Sequence, residues 1–172
     1  MSYVFLNVEP DHEFEEMVTR ITCPQYRGHG GLDMLVLGLE AECGASFPDS
    51  LKTYLKLTKA IRCLGDPSGW PCVASSGVLY IGMDDDGYES EYWFVDLNNT
   101  LGEGASSIWH GHGVDDFPRM DFWVYHNKCC LAATDMKDLV SKFFEDDCHW
   151  PRPCCDSSDS EDDFHGRPDL YD

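Results

Sequence analysis

The stretch IWHGHGVDDF carries the residues best suited to acid–base or metal chemistry. Alternation along a strand places His110 and His112 on one face, and Asp115 follows them. Such a set could ligate a metal ion or supply the general base of a hydrolase. No Gly-x-Ser-x-Gly, phosphate-binding loop or His-Glu-x-x-His motif accompanies it. We therefore predict a surface histidine pair rather than a catalytic site, and we count His110 and His112 among the candidate partner-binding residues.

Acidic residues crowd the middle of the stretch LYIGMDDDGYESEYWFVDLNN. A calcium EF-hand loop with Gly87 at its sixth position would begin at Gly82 and end at Trp93, neither of which offers a side-chain oxygen. The sequence DDG instead favours a hairpin turn. An acidic hairpin tip can steer a basic protein partner. The predicted contact residues of this tip are Asp84, Asp85, Asp86, Tyr88 and Glu89.

Cysteine and histidine near the C-terminal end suggest an alternative, a zinc-stabilised structural module. Its ligands would come from Cys129, Cys130, Cys148, His149, Cys154 and Cys155. None of these cysteines forms the two-residue-spaced pair of a zinc finger, so we predict no cofactor and keep zinc as the alternative. Because neighbouring side chains point apart on a strand, we predict one buried and one exposed thiol at 129–130.

The charge balance narrows the choice of partner. The 172 residues include 12 basic and 32 acidic ones, a formal net charge of −20. Such a surface repels phosphate backbones and anionic lipids, which disfavours a nucleic-acid or membrane partner. The N-terminus lacks a basic signal-peptide region, and an odd count of nine cysteines is typical of free thiols. We expect an intracellular protein, cytoplasmic or nuclear, and not a secreted one.

The last 28 residues differ from the rest in composition. They hold ten acids against two arginines, a net charge of −8. We predict one folded domain over residues 1–150 and an acidic disordered tail over 151–172. Ser158 and Ser160 each have an acid three residues on and are candidate phosphorylation sites. In the folded part, Trp70 and Trp109 lie beside loops and are candidate partner anchors, although a core position is favoured.

Hydrophobic periodicity divides the folded part into helices, then strands, then a helix. The spacing predicts helices over 11–21, 32–44, 47–61 and 135–147, with Asp11 and Thr134 as N-caps. A period of two predicts strands at VLYIGM, EYWFVDL, SSIWHGH and MDFWVYHN, while residues 62–77 are predicted as a loop. The expected fold class is α+β: an antiparallel sheet of about four to six strands, with N-terminal helices and one C-terminal helix packed on it.

Several motifs resemble those of the SUKH superfamily over roughly residues 35–146. The first helical motif is carried by Leu39, Gly44, Phe47, Pro48, Tyr54 and Leu55. A central hairpin similar to that of the family is carried by Gly82, Gly87, Tyr92, Phe94, Asp96 and Leu97. SSIWHGHG stands at the next strand, and the terminal strand and helix are carried by Ala132, Ala133, Thr134, Leu139, Phe143 and Phe144. KLTKAIRCLG replaces the Asn-Gly-Gly-like turn usual in the family, which indicates a divergent member.

The resemblance implies a scaffold that binds proteins and not one that carries out a reaction. The family includes toxin-immunity proteins, fungal cell-wall regulators and proteins of large DNA viruses. We therefore expect a non-enzymatic module that binds a basic protein partner and occludes or inhibits it, possessing a sheet face and acidic loops for contact. The competing alternatives are a metal-dependent or Cys/His hydrolase using His110, His112 and Asp115, and the zinc-stabilised module.

Overall fold

The computed structural model describes residues 11–21, 32–58, 72–75, 77–85, 89–113, 117–147 and 149–154. Within these residues the helices are α1 (His12–Ile21), α2 (Leu32–Cys43), α3 (Asp49–Thr58), α4 (Met120–His126) and α5 (Met136–Glu145). The strands are β1 (Cys72–Ser75), β2 (Val78–Asp85), β3 (Ser90–Asp96), β4 (Ile108–Gly113) and β5 (Cys129–Ala133). The predicted α+β class is confirmed.

The five strands form one antiparallel sheet in the order β1-β2-β3-β4-β5. Each strand therefore pairs with its neighbour along the chain. The acidic stretch is a hairpin, as predicted, because β2 and β3 pair as far as Asp85 opposite Ser90. Its tip, residues 86–88, lies outside the described residues.

One side of the sheet, here called the helical face, packs against α1, α2, α3 and α5. The amphipathic α1 presents Phe14 and Val18 to this core, and Asp11 caps the helix as predicted by accepting a hydrogen bond from the Phe14 N–H at 3.1 Å. The strands contribute alternate residues, as expected for a sheet with different environments on its two sides. The buried residues that β2, β3 and β4 contribute to this face are Leu79, Ile81, Trp93, Val95 and Ile108.

The opposite side, here called the α4 face, is covered by the short helix α4. Its fully buried Trp123 stacks on Phe94 with ring centroids 5.1 Å apart. The Trp123 indole N–H donates to the Tyr80 hydroxyl at 2.8 Å, and that hydroxyl donates to the Pro118 carbonyl. This chain of hydrogen bonds satisfies two polar groups inside an aromatic core.

Two predicted elements are wrong. MDFWVYHN was expected as a strand but forms α4, which ends at Asn127 in the left-handed conformation at φ 50°. A segment of seven aromatic-rich residues fits both the helical period of 3.6 and the strand period of two. In the structure Trp123 alone is buried in this segment, which a helix packed on the sheet through one side chain accounts for. Residues 72–75, predicted as loop, form the edge strand β1, because pairing with β2 satisfies their backbone groups.

The cap of α5 is also displaced by one residue from the prediction. Asp135, not Thr134, is the N-cap and accepts from the Asp138 N–H at 2.7 Å. Asp138 in turn accepts from the Thr134 N–H at 2.9 Å. Partial burial raises the pKa of Asp138, but the hydrogen bonds from Thr134 and the ion pair with Lys142 outweigh it, so that pKa lies below its ordinary value.

Candidate functional site

Three side chains of types that can ligate metals converge on the helical face, at the start of β3 and the end of β4. The strand register places Glu91 opposite His112 and Trp93 opposite His110. The Glu91 Oε1 atom lies 2.9 Å from His110 Nε2 and 3.9 Å from His112 Nε2. One ligand atom from each residue lies within 4.8 Å of the others. Glu91, His110 and His112 are called the Glu91 cluster below.

The two histidines share a strand face, as alternation predicts, but the predicted surface pair is wrong for His110. The His110 side chain is fully buried, whereas His112 is 26% exposed. His110 lies in a central strand, with its ring centroid 5.0 Å from that of Trp93. Asp115, the predicted third member, lies outside the described residues. Glu91, which is 11% exposed, is the third member that the structure brings to the histidines.

Residues 150–154, here called the C-terminal strap, lie over this cluster. The Pro151 carbonyl accepts from the Trp93 indole N–H at 2.9 Å, and the Trp150 ring packs edge-on against Trp93. Gly82 permits this approach, because a Cβ there would lie 3.0 Å from the Trp150 ring. Contacts with the sheet therefore extend beyond the predicted domain boundary at residue 150. Residues 155–172, with Ser158 and Ser160, lie outside the described residues.

Arg152 of the strap joins two carboxylates. Its Nε donates to Glu91 Oε1 at 3.1 Å, and its Nη2 contacts the other Glu91 oxygen and donates to Asp84 Oδ2 at 3.1 Å. Asp84 and Glu91 are directly opposite each other in the sheet, where like charges are destabilising. A bulge between Tyr80 and Gly82 shifts the alternation and turns Asp84 toward the helical face. The guanidinium offsets the repulsion between the two carboxylates.

The strap also determines which nitrogen of His110 carries the proton. The Cys154 N–H donates to His110 Nδ1 at 3.4 Å, which makes Nδ1 an acceptor. The proton of the neutral ring is then on Nε2, which donates to Glu91 Oε1. The Cys154 thiol donates to the His110 carbonyl at 3.1 Å. The arrangement is a hydrogen-bonded ionic network closed by the strap.

The predicted zinc residues do not form a three-ligand group within the part of the chain that the structure describes. Cys129 is buried and Cys130 is exposed, which confirms the prediction of one thiol of each kind. Burial raises the pKa of Cys129 to about 12, so this thiol is a poor nucleophile and metal ligand at neutral pH. His149 is exposed and near the Asp146 carbonyl. Cys148 and Cys155 lie outside the described residues.

The predicted partner residues have different environments. Asp84 is 63% exposed and ion-paired with Arg152, and Glu89 is half-buried. Trp109 is half-buried on the α4 face, where its indole N–H donates to Ser107 Oγ at 3.0 Å, in keeping with the favoured core position. Asp85 ends β2. The positions outside the described residues are Trp70, Asp86 and Tyr88.

The large apolar side chains that are exposed in the described residues belong to the α4 face. Val124 and Tyr125 are adjacent on α4 and are 54% and 84% exposed. Met83, which is 36% exposed, pairs across the sheet with Tyr92, a residue of the α4-face core. No sequence motif singled these residues out, since their exposure follows from how α4 docks through Trp123.

Comparisons with known proteins identify no relative of this chain. No family model, curated protein or solved structure matches the chain. The SUKH resemblance therefore stays a prediction. Within the described residues, no helix combines the length and apolar content required to cross a bilayer.

Proposed function

We propose that this chain is a non-enzymatic module that binds and occludes a protein partner with a basic surface. The α4 face makes the apolar contact, and the acidic surface steers the encounter. The observation that carries the proposal is the grouping of the exposed Met83, Val124 and Tyr125 on one side of the sheet.

The exposed apolar side chains suit a protein interface. Tyrosine presents a large ring and a hydroxyl with only two side-chain torsions to order, and it is enriched at binding hot spots. Tyr125 and Val124 are neighbours on a helix whose inner residue, Trp123, is fully buried. The helix is thus held against the sheet while its outer residues face solvent. Met83 adds a flexible apolar side chain that adapts to a partner.

Charge acts at longer range than these contacts. The net charge of −20 attracts a basic partner and raises the association rate in a salt-dependent way. Residues 119–128, which include α4, hold the exposed Arg119, Asp121 and Lys128, so this segment contributes none of the net negative charge. We therefore assign orientation and rate to the acidic surface, including Asp84 and Glu89, and the lasting contact to α4.

Affinity capture from cell extract tests this function. The bait is the full chain, compared with the double variant Val124→Ala/Tyr125→Ala. A matched control changes two exposed uncharged residues outside α4, Ser46→Ala/Thr100→Ala, so that the acidic surface is kept. We expect one stoichiometric partner, bound less at high salt, lost with the α4 variant and kept by the control. Equal retention by both variants would contradict the assignment to α4.

The acidic tail is tested separately with a chain that ends at Cys154. This cut keeps the strap, including its Arg152 and Cys154 contacts, and removes Ser158 and Ser160. We expect the partner to remain bound. Loss of the partner with the shortened chain would place binding in the tail and make phosphorylation of these serines the next experiment.

A further inference from the structure

We infer that the Glu91 cluster is a latent transition-metal site suited to Zn²⁺ and that Arg152 of the strap takes the place of the ion. The inference is independent of partner binding, because the Glu91 cluster lies on the helical face and the exposed apolar residues lie on the α4 face.

The ligand types and their spacing fit zinc. Two imidazoles and one carboxylate are a ligand set that zinc accepts, with the remaining position taken by water or another oxygen. A tetrahedral ion with bonds of about 2.1 Å places its ligand atoms about 3.4 Å apart. The two distances from Glu91 Oε1 to the histidine Nε2 atoms, 2.9 and 3.9 Å, lie on either side of that value. The ligand atoms of all three residues lie within 4.8 Å of one another, so an ion is enclosed by adjusting these side chains.

The guanidinium of Arg152 performs the electrostatic task of a cation at this place. It contacts both Glu91 oxygens and also reaches Asp84 at 3.1 Å. Without it, two carboxylates face each other across the β2–β3 ladder beside two imidazoles. A divalent ion would neutralise the same pair and would take the imidazole nitrogens in addition. Asp84 is on the correct face to supply a further oxygen.

The strap and the ion exclude each other at two points. Arg152 engages the Glu91 carboxylate that the ion needs. The Cys154 N–H donates to His110 Nδ1, so Nε2 holds the proton, whereas a ligating Nε2 must be deprotonated and its Nδ1–H must donate to an acceptor. Zinc binding therefore requires the strap to leave. By linkage, any change that weakens the strap strengthens zinc binding, and zinc in turn favours release of residues 150–154.

The site can be reached once the strap moves. Arg152 is 41% exposed and His112 is 26% exposed, whereas His110 is fully buried and is contacted by Cys154 of the strap, so release of the strap opens the site from the side of His112. Trp150 packs against Trp93 in the strapped state, and its release would alter tryptophan fluorescence. A change in tryptophan fluorescence on adding zinc would therefore report release of the strap.

The test is a zinc titration of the full chain in competition with a chromogenic chelator. The variants are Arg152→Ala, the double variant Arg152→Ala/His112→Ala, and the control Arg119→Ala, an exposed arginine outside the site. Arg152→Ala removes the charge-assisted hydrogen bonds that compete with the ion for Glu91. We therefore expect this variant to bind Zn²⁺ at least about tenfold more tightly than the parent chain. The gain should vanish in the double variant and be absent in the control.

Two further measurements keep the outcome decisive. Arg152→Lys retains the charge without the forked contact and should give an intermediate zinc affinity, which provides a test if Arg152→Ala folds poorly. Co²⁺ in place of Zn²⁺ should give a spectrum without a thiolate-to-metal band. Equal zinc affinity in the Arg152 variants and the parent chain, or zinc binding that survives loss of His112, overturns the inference. A thiolate band does the same and assigns the metal to cysteine.

Discussion

Replacing Gly111 with alanine would place a methyl group between β4 and the residues that anchor α4. The added Cβ would lie 2.6 Å from Cζ3 of Trp123, and 3.0 Å from both the Cys129 Cβ and the Lys128 carbonyl oxygen. Carbon atoms pack favourably at about 3.5–4.0 Å, so the closest contact overlaps by about 1 Å. A side chain at this position must therefore displace its neighbours.

The neighbours of Gly111 have little freedom to move. Cys129 is the first residue of the paired strand β5 and lies opposite Gly111, and Lys128 precedes it, so the Cys129 Cβ and the Lys128 carbonyl are fixed by the backbone. Trp123 is fully buried, and its indole N–H is hydrogen-bonded to Tyr80. Overpacking of a rigid core costs about 1–3 kcal/mol. Because these neighbours are constrained, we expect Gly111→Ala to lower the free energy of unfolding by about 3 kcal/mol. At about 2–4 °C per kcal/mol for a chain of this size, Tm should fall by about 6–12 °C.

Gly38→Ala is the matched control for this variant. Gly38 lies in α2 with no atom within 4 Å of a Cβ built there. An alanine in a helix is favoured over glycine by about 1 kcal/mol, so this variant should be more stable than the parent chain. Urea unfolding followed by circular dichroism measures both variants, which should differ by about 4 kcal/mol. A Gly111→Ala variant within about 0.5 kcal/mol of the parent would refute the packing argument.

Three other measurements test the interior and the cap of α5. Tyr80→Phe removes the hydroxyl that accepts from the Trp123 indole, and urea unfolding should show a loss of about 1–3 kcal/mol; an unchanged midpoint would exclude a stabilising role. Brief alkylation followed by mass spectrometry should label Cys130 well before Cys129, and equal labelling would contradict the buried thiol with its pKa of about 12. The lowered pKa of Asp138 means that its carboxylate contributes stability above the ordinary value of 3.8 and that this contribution is lost as the pH falls through the lowered pKa. The stability difference between the parent chain and Asp138→Asn should therefore be present at about pH 6 and shrink in acid, whereas a pH-independent difference would contradict this linkage.

The order of helices and strands was largely readable from the sequence, because amphipathic periodicity is a local property. The stripes of α1, α3 and α5 and the alternation in β3 and β4 each lie within one element. The prediction from periodicity is wrong at α4, because seven residues are too few to distinguish a period of 3.6 from a period of two. It also failed at β1, an edge strand of four residues whose formation depends on the free edge of β2.

The candidate site was only partly predictable. Alternation alone placed His110 and His112 on one face, and the structure bears this out. Glu91 was not foreseen, because its position beside the histidines depends on the register between β3 and β4. Cross-strand pairing of the two stretches would have been the usable signal. Arg152 lies 61 residues from Glu91 in sequence, and nothing in its local pattern indicates that contact.

The sequence by itself determined the acidic character, the α+β class, the shared strand face of the histidines and the opposite exposures of Cys129 and Cys130. These properties follow from residue type and from the repeat of a single chain segment. Only the tertiary structure decided the burial of His110, the bulge that turns Asp84 toward Glu91, and the closure of the cluster by residues 150–154. Each of these depends on register and docking between distant segments, where the free energy of packing outweighs local preference.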